Sequence, residues 1–426
     1  MKLKKTVLRI AVVILLFGCL PTGTLQVGLE ATATPVPASA APGITAIPPE
    51  NTQPAPATEP AAPSGTPAPG ETPSSTVIAA PPPSPEMGFV SGNLCYPSEF
   101  IPPLAAYFQH TETGQTFALN TQLNQFAYNT ELPPGTYTAF AWVIGGGYGG
   151  LYSPAIACGL TVDCTDHAPL PFTIQPGQLT NGIDLCDWYG DQQQIPPPVA
   201  QFTPVVSGER ILILNPGPGS RLTSPLHISG YADSTFEQHL VVRIVLDDGS
   251  ELVVTPTILQ SEMGKRGAFE IEIPFTISGE RQAFIQVYET SARDGGITHL
   301  ASVGVTLSES GPANIVPGTF HGERIILTQY PFGNAFAQGG MIHIEGIAVA
   351  SFEQTLVIEI YDQYGNLIGQ LPVIVNAPDL GQPGTFSADV PYTLSEAGPG
   401  RIVVRDPSVV FDGSVHLASV EIYLEP

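Results

Sequence analysis

The second half of this 426-residue chain contains the same segment twice. Three short stretches return in the same order: residues 208–211 as 322–325, 236–238 as 352–354, and 299–303 as 416–420. The offset between copies, from 208 to 322 and from 299 to 416, changes only from 114 to 117 residues. This period is longer than any solenoid repeat and equals one whole domain. The sequence therefore predicts two tandem domains, at 205–308 and 321–426.

Comparison of the copies predicts which strand faces are buried. Leu240, Val242 and Ile244 alternate with their neighbours, and the second copy keeps apolar residues at 356, 358 and 360. Such alternation is typical of a strand with one buried face. About seven strands of this kind over about 100 residues indicate an immunoglobulin-like β-sandwich.

Several motifs of both copies resemble the immunoglobulin-like domain of bacterial spore germination proteins. They lie at 225–232, 236–238, 294–295 and His299 in the first copy, and at 343–348, 352–354, 412–413 and His416 in the second. The resemblance implies the fold and an envelope setting. That family's usual partner, a GerMN germination module, is absent here, and a cysteine-bearing domain takes its place.

The first nineteen residues have the pattern of an export signal, with a basic start and an apolar run over 7–16. The stretch 16–19 resembles the lipobox of bacterial lipoproteins, although Phe17 stands where a small residue is usual. The resemblance implies a lipid on Cys19. Two alternatives stay open: cleavage after 31–33, or an uncleaved anchor helix over about 6–29. Each predicts an extracytoplasmic protein that contacts the membrane only through its N-terminus.

Segments rich in proline separate the predicted domains. Residues 20–87 are dominated by Pro, Ala and Thr and contain no Phe, Trp, Tyr, Lys or Arg, so they predict a disordered, extended stalk. Residues 191–204 and 309–320 are predicted linkers. Residues 88–190, with short strand patterns between Gly, Pro and Asn turns, form a third predicted β-sandwich. The expected fold class is therefore all-β.

The stretch 132–137 of this first domain reads Leu-Pro-Pro-Gly-Thr-Tyr. It resembles a turn-and-strand motif of carboxypeptidase regulatory-like domains, which are transthyretin-like sandwiches. The resemblance implies that Tyr137 helps to close the core.

Four of the five cysteines lie in the first domain, and the tandem copies have none. In an oxidising compartment they predict two disulfides, with three possible connectivities. We favour Cys158 with Cys164 and Cys95 with Cys186. A zinc site that includes His167 is the alternative, but the spacing contains no close CxxC pair.

The same domain holds both tryptophans of the chain. Trp142 and Trp188, with Tyr148 and Tyr152, are candidates for a carbohydrate-binding platform. The alternative interpretation is that these rings pack in the core.

After Cys19 the chain carries 10 basic and 38 acidic residues, a formal charge of −28 (10 − 38). Such a surface repels nucleic acid, so we expect no nucleic-acid partner. The expected partner is an envelope protein or a cell-wall or surface glycan.

No catalytic motif is present in the sequence. Glu237 and Glu353 are expected to accept backbone hydrogen bonds at a turn, and His299 and His416 to be packing residues, since no HExxH pattern occurs. We therefore expect no enzyme activity, no metal and no cofactor. The predicted role is adhesion, scaffolding or spacing in the envelope, with a carbohydrate-binding accessory role as the alternative.

Some positions differ between the copies. Arg243 corresponds to Glu359, and Phe284 to Arg401. We expect these positions to be exposed, so that the two copies present different surfaces.

Overall fold

Strands separated by Gly, Pro and Asn turns form nearly all of the regular secondary structure of the described chain, as the sequence predicts. The computed structural model describes residues 86–331, 337–349 and 353–426. The predicted signal, Cys19 and nearly all of the predicted stalk lie outside the described residues. Within the described ranges, no helix is long and apolar enough to cross a bilayer.

The first domain is a sandwich of two sheets. One sheet has the strand order β4-β1-β8, and the other β6-β5-β2-β3-β9, with β7 also paired to β5. Tyr137 is fully buried between them, and its hydroxyl donates to Pro133 O at 2.9 Å. The elements are β1 Gly88–Asn93, β2 Leu104–His110, β3 Thr116–Asn120, β4 Ala127–Leu132, β5 Gly135–Val143, β6 Gly149–Leu151, α1 Pro154–Cys158, β7 Phe172–Ile174, β8 Leu179–Thr180 and β9 Thr203–Pro204.

The first tandem copy, repeat 1, packs a sheet of order β10-β12-β15 on a sheet of order β14-β13-β16-β17, with β11 also on β17. Its strands are β10 Ile211–Asn215, β11 Arg221–Leu222, β12 Leu226–Ala232, β13 His239–Leu246, β14 Glu251–Ile258, β15 Gly267–Ile273, β16 Glu280–Thr290 and β17 Ile297–Ser308.

The second copy, repeat 2, has the same arrangement, with sheets β18-β19-β22 and β24-β23-β20-β21. Its strands are β18 Ile325–Gln329, β19 Met341–Ala348, β20 Thr355–Tyr361, β21 Leu367–Ile374, β22 Gly384–Pro391, β23 Gly398–Pro407 and β24 Ser414–Leu424. The all-β prediction of three sandwiches is confirmed.

The buried faces are those that the comparison of copies predicted. Leu240, Val242 and Ile244 are at most 1% exposed, and so are the residues at 356, 358 and 360. Each such side chain contributes about 1.5–3 kcal/mol through removal of apolar area from water. Each repeat therefore forms its own apolar core without a disulfide.

Both segments predicted as linkers are packed against a domain. In the first, β9 pairs in parallel with β3, Ile195 is buried, and Trp142 Nε1 donates to Pro196 O at 2.8 Å. In the second, Asn314 and Arg221 exchange two backbone hydrogen bonds of 2.8 and 2.9 Å. These segments are fixed connections rather than free tethers.

The two repeats share one sheet. β17 pairs with β24, so the strand order runs β14-β13-β16-β17-β24-β23-β20-β21 without interruption. This pairing brings together the sequence motifs that are repeated.

Candidate functional site

A local twofold axis relates the two repeats where β17 meets β24. In this antiparallel pair Leu300 lies opposite Leu417, and His299 opposite Ala418. Leu300 and Leu417 hold the same place in the repeated motif His-Leu-Ala-Ser-Val, so a residue pairs with its own counterpart. Such self-pairing is the mark of an isologous interface.

We call the place where β17 and β24 bring the two repeats together the joint. The second repeated motif, Gly-Glu-Arg-Ile, also contacts its own counterpart at this joint. Gly208 bridges Gly322. The Glu209 N–H donates to His321 O at 3.1 Å, and the Glu323 N–H donates to Ser207 O at 3.0 Å. Both repeated motifs therefore contribute to one joint between the repeats.

Four side chains from these motifs form a cluster at the joint, which we call the Glu–His cluster: Glu209, His299, Glu323 and His416. Each repeat supplies one glutamate and one histidine. One ligand atom from each residue lies within 4.8 Å of the others. His299 Nε2 is 2.7 Å from Glu209 Oε1 and 3.9 Å from Glu323 Oε1. His416 Nε2 is 3.3 Å from Glu323 Oε1 and 3.8 Å from Glu209 Oε2.

The Glu–His cluster is almost completely buried. The exposed side-chain fractions are 0% for Glu209, 1% for His299, 10% for Glu323 and 2% for His416. All ten basic residues after position 85 form ion pairs with other carboxylates. Within the described part of the chain, the ion-pair partners of the two glutamates are therefore histidines only: His299 and His416 of the cluster, and His321 at 4.0 Å from Glu209.

Backbone groups hold each carboxylate across the joint. The Arg210 N–H donates to Glu323 Oε2 at 3.1 Å, and the Arg324 N–H donates to Glu209 Oε2 at 3.4 Å. Each glutamate is thus bound by the backbone of the other repeat, while its Oε1 atom faces a histidine. Each repeat thus contributes a glutamate side chain that accepts a backbone hydrogen bond from the other repeat.

The charges of the cluster shift the pKa values of its members. Burial raises the pKa of Glu323, but His299 and His416 outweigh burial and hold this pKa at about 2. Burial lowers the pKa of His416, but the carboxylates of Glu209 and Glu323 outweigh it and keep this pKa above its usual value. The joint therefore favours positive charge beside its two carboxylates.

The turns beside the joint break the twofold symmetry. The 291–296 turn of repeat 1 lies over repeat 2, where Asp294 Oδ1 accepts from Arg401 at 3.1 Å. At the counterpart place, the rings of Phe284 and Phe411 lie 5.1 Å apart. One side of the joint is an ion pair, and the other is an aromatic contact.

This arrangement corrects the prediction that the differing positions are exposed. Arg401 is 2% exposed and Glu359 is 7% exposed. Phe284 is half-buried against Phe411, and the Arg243 guanidinium lies 5.3 Å from the centre of the Tyr288 ring. The neighbouring repeat covers Arg401 and Phe284, which a strand pattern cannot reveal. Glu359 is covered within its own repeat, where Tyr361, Gln370 and Arg405 bind its carboxylate.

The Asp294–Arg401 pair predicts an acid-dependent contribution to stability. Burial raises the pKa of Asp294, but hydrogen bonds from the Gly296 N–H and Arg401 outweigh it, so the pKa lies below its usual value. A depressed carboxyl pKa stabilises the fold above the unfolded pKa of about 3.9, and this stabilisation is lost as the pH falls through the folded value. We expect Asp294→Asn to lower the free energy of unfolding by about 3 kcal/mol at pH 7.

Urea unfolding of both proteins at pH 7 and pH 3 measures this effect. The difference between wild type and Asp294→Asn should shrink at pH 3. Asp412→Asn, in the exposed counterpart turn, is the matched control and should behave like wild type. An equal loss at both pH values would contradict the assignment.

In the repeated Phe-Glu-Gln motif of repeat 1, the glutamine rather than the glutamate makes the structural contacts. Glu237 is exposed, and no hydrogen bond to its carboxylate is seen within the described residues, so the predicted backbone acceptor is wrong at this position. Gln238 is buried instead, and its Nε2 donates to Ser261 Oγ at 2.6 Å and to Glu262 O at 2.9 Å. Glu237 and Gln238 both have a left-handed backbone, with φ of 53° and 59°.

The cysteines of the first domain pair as we favoured. Cys95 bonds to Cys186 and Cys158 to Cys164. His167 Nδ1 lies 2.8 Å from Asp187 Oδ2, so this histidine is part of an ion pair and is not grouped with the cysteines.

The candidate carbohydrate platform is largely part of the domain's packing. Trp188 is 1% exposed. The Tyr148 hydroxyl donates to Trp188 O at 2.5 Å, and Tyr152 and Trp142 are half-buried. Burial removes Trp188 from any surface on which a sugar could stack.

A cleft of about 1450 Å³ lies where the first domain meets the two repeats. Phe126, Phe202 and Val206 form part of its wall, and the joint residues His321 and Glu323 reach its lining. The Glu–His cluster thus lies beside a concave surface.

The pairing of Glu209 and Glu323 with the two histidines was not predicted from the sequence. All four residues stand in repeated motifs, and this repetition was the available signal. Glu209 and His299 are 90 residues apart within repeat 1, and the two Glu–His pairs meet only through the contact between repeats.

A search of curated proteins gives no match. Three solved structures are similar in part: dimeric latent PorU from Porphyromonas gingivalis, with 12% identity, a TM-score of 0.19 and coverage of 80% of this chain and 30% of that one; bovine butyrophilin, with 11% identity, a TM-score of 0.17 and coverage of 50% and 98%; and red sea bream transglutaminase, with 8% identity, a TM-score of 0.20 and coverage of 76% and 57%. The chain thus spans less than two thirds of the length of PorU and of the transglutaminase.

The family model of the immunoglobulin-like domain of bacterial spore germination matches residues 210–296. The match falls inside repeat 1, and the internal duplication relates repeat 2 to the same domain. Repeat 1 is therefore similar to the immunoglobulin-like domain of bacterial spore germination, as its motifs predicted.

Proposed function

We propose that this protein is a non-enzymatic surface protein of the bacterial cell envelope, of the spore-germination type, whose tandem domains act as a rigid spacer and scaffold. The observation that carries the proposal is the sheet shared by the two repeats. Two domains joined by strand pairing and by buried side chains keep a fixed distance between whatever is bound at their outer ends. A fixed distance suits a spacer better than a flexible protein that captures a partner.

Contacts between the first domain and repeat 1 support the same proposal. Lys265, the single lysine after position 5, lies with its Nζ 2.5 Å from Asp184 Oδ2 of the first domain. Asn129 and Gly208 exchange hydrogen bonds of 2.9 and 3.2 Å. A free hinge between these domains would have no such contacts.

Distance measurements between spin labels test the rigidity. Labels at Ile258→Cys and Ile374→Cys, exposed and equivalent positions on β14 and β21, should give one narrow distance distribution. The control pair, Ile258→Cys with Ser278→Cys, lies within repeat 1 at two exposed positions and sets the width for a rigid domain. A distribution much broader than the control would overturn the spacer role.

We further propose that the protein is anchored outside the cytoplasm by a lipid on Cys19. Two disulfides are consistent with an extracytoplasmic location. Mass spectrometry of the mature N-terminus should find a lipid-modified cysteine in wild type and none in Cys19→Ser. An unmodified N-terminus beyond Cys19 in the wild type would exclude the lipid anchor.

The alternative function is a carbohydrate-binding accessory role of the first domain. Trp142 is half-buried and provides the partly exposed indole of the candidate platform. Glycan-array binding by the full chain distinguishes the functions. We expect no glycan binding that depends on Trp142, and a signal lost in Trp142→Ala with the fold intact would favour the alternative.

A further inference from the structure

We propose that the Glu–His cluster binds one divalent first-row transition metal ion, Zn²⁺ being the best fit, and that this ion fastens repeat 1 to repeat 2. The ligands are Glu209 and His299 from repeat 1 and Glu323 and His416 from repeat 2. Metal binding at this site goes beyond the proposed spacer function, because it gives the protein a metal ion as a ligand.

The spacing of the donor atoms fits tetrahedral coordination. Ligands about 2.0–2.1 Å from Zn²⁺ lie about 3.3 Å from one another at tetrahedral angles. Three nitrogen–oxygen distances, from His299 to Glu209 Oε1 and from His416 and His299 to Glu323 Oε1, are 2.7, 3.3 and 3.9 Å and fall on both sides of that value. One ligand atom from each of the four residues lies within 4.8 Å of the others. Tetrahedral coordination would require these separations to change by about 0.6 Å at the short end and by up to about 1.5 Å at the long end.

The donor set also selects the metal. Two imidazole nitrogens and two carboxylate oxygens suit Zn²⁺ and its neighbours, whereas Ca²⁺ and Mg²⁺ prefer six or more oxygen ligands. All four protein ligands are present and buried, so no position is open for substrate. The site is therefore structural rather than catalytic.

Charge balance requires positive charge at this place. Two carboxylates lie in a buried site without a lysine or arginine partner among the described residues, and buried charges are stable only when compensated. One divalent ion with two neutral imidazoles supplies the two positive charges.

Two protonated histidines are the competing source of charge. The Nδ1 atom of His299 is buried and has no hydrogen-bond partner among the residues that the structure describes. An imidazolium would place a charged N–H donor there without an acceptor, and unsatisfied charged groups cost more than neutral ones. With a metal on Nε2, Nδ1 still carries its proton, but the ring itself is neutral, so the unpartnered N–H costs less than that of an imidazolium.

The backbone prepares both carboxylates for this role. Each glutamate Oε2 accepts an N–H from the opposite repeat, at 3.1 Å for Glu323 and 3.4 Å for Glu209. These bonds orient the carboxylates before any ion arrives, as outer hydrogen bonds do in known metal sites. The ion would thus bind only when both repeats are docked.

Cobalt substitution in the wild-type chain tests the site directly. The full-length chain is stripped with a chelator, titrated with Co²⁺ and followed by visible absorption, and Zn²⁺ is then added. We expect one Co²⁺ per chain with the strong absorption of a tetrahedral site, displaced by one Zn²⁺. No binding, or the weak spectrum of six-coordinate Co²⁺, would overturn the proposal whether or not any variant folds.

Variants then locate the ion. Glu323→Gln and His416→Gln keep the side-chain size and should each weaken Co²⁺ binding by at least about tenfold. The matched control is His343→Ala. It removes an exposed imidazole that lies 2.7 Å from Asp389 and 3.1 Å from Glu345, and it should leave binding unchanged.

The exposed His321, whose Nδ1 is 4.0 Å from Glu209 Oε2, gives a second control. His321→Ala should retain one tetrahedral Co²⁺ per chain. Binding that survives both glutamine variants but is lost in His343→Ala would show adventitious surface binding and would refute the proposed site.

Discussion

Replacement of Glu209 by alanine is expected to lower the free energy of unfolding of the tandem repeats by about 3–5 kcal/mol. Glu209 is fully buried, accepts the Arg324 N–H of the other repeat and lies 2.7 Å from His299. Its removal leaves a buried imidazole and a buried N–H without their acceptor. The loss should affect both repeats because the joint contains residues from each.

Differential scanning calorimetry measures this loss over the transition of the repeats. Glu237→Ala is the matched control, since Glu237 is a glutamate of the same repeat with an exposed side chain. It should change stability by less than about 0.5 kcal/mol. A loss below about 1 kcal/mol for Glu209→Ala would contradict a stabilising role for the joint.

The second large effect is expected in the first domain. Removal of the Cys95–Cys186 disulfide by a double alanine substitution should lower its free energy of unfolding by about 4–5 kcal/mol, and removal of Cys158–Cys164 by about 2 kcal/mol. The bridges span sequence separations of 91 and 6 residues. A longer closed loop restricts the unfolded chain more, so its loss costs more.

Tryptophan fluorescence makes this comparison specific. Trp142 and Trp188 are the only tryptophans of the chain, and both lie in the first domain. Their emission during urea unfolding therefore reports that domain and not the repeats. Equal losses for the two double variants would show that loop length does not govern the stability of this domain.

The sequence was sufficient to predict the fold class and the buried faces because those depend on local patterns. Apolar residues alternate with their neighbours at Leu240, Val242 and Ile244 and at the equivalent positions of the second copy. This alternation correctly predicts the buried face. The role of Tyr137 followed from a short motif of contiguous residues. The prediction of two disulfides followed from the confinement of four cysteines to one domain.

The joint could not be predicted in the same way. Its contacts link residues far apart in the chain, and the packing of one repeat on the other decides them. Arg401 looked like a solvent-facing residue of a strand, but the 291–296 turn covers it and Asp294 binds its guanidinium. His299 and His416 looked like isolated histidines because their glutamate partners precede them by 90 and 93 residues.

The shared sheet also limits how the molecule can assemble. β17 and β24 pair with each other inside the sheet, so its two exposed edge strands are β14 and β21. Both outer strands carry a proline at equivalent positions, Pro256 and Pro372, opposite Val241 and Val357. Proline has no N–H to donate, so neither edge readily accepts an added strand. Growth into a filament by edge-to-edge addition is thus blocked at both ends, and the pair of repeats is a unit of finite size.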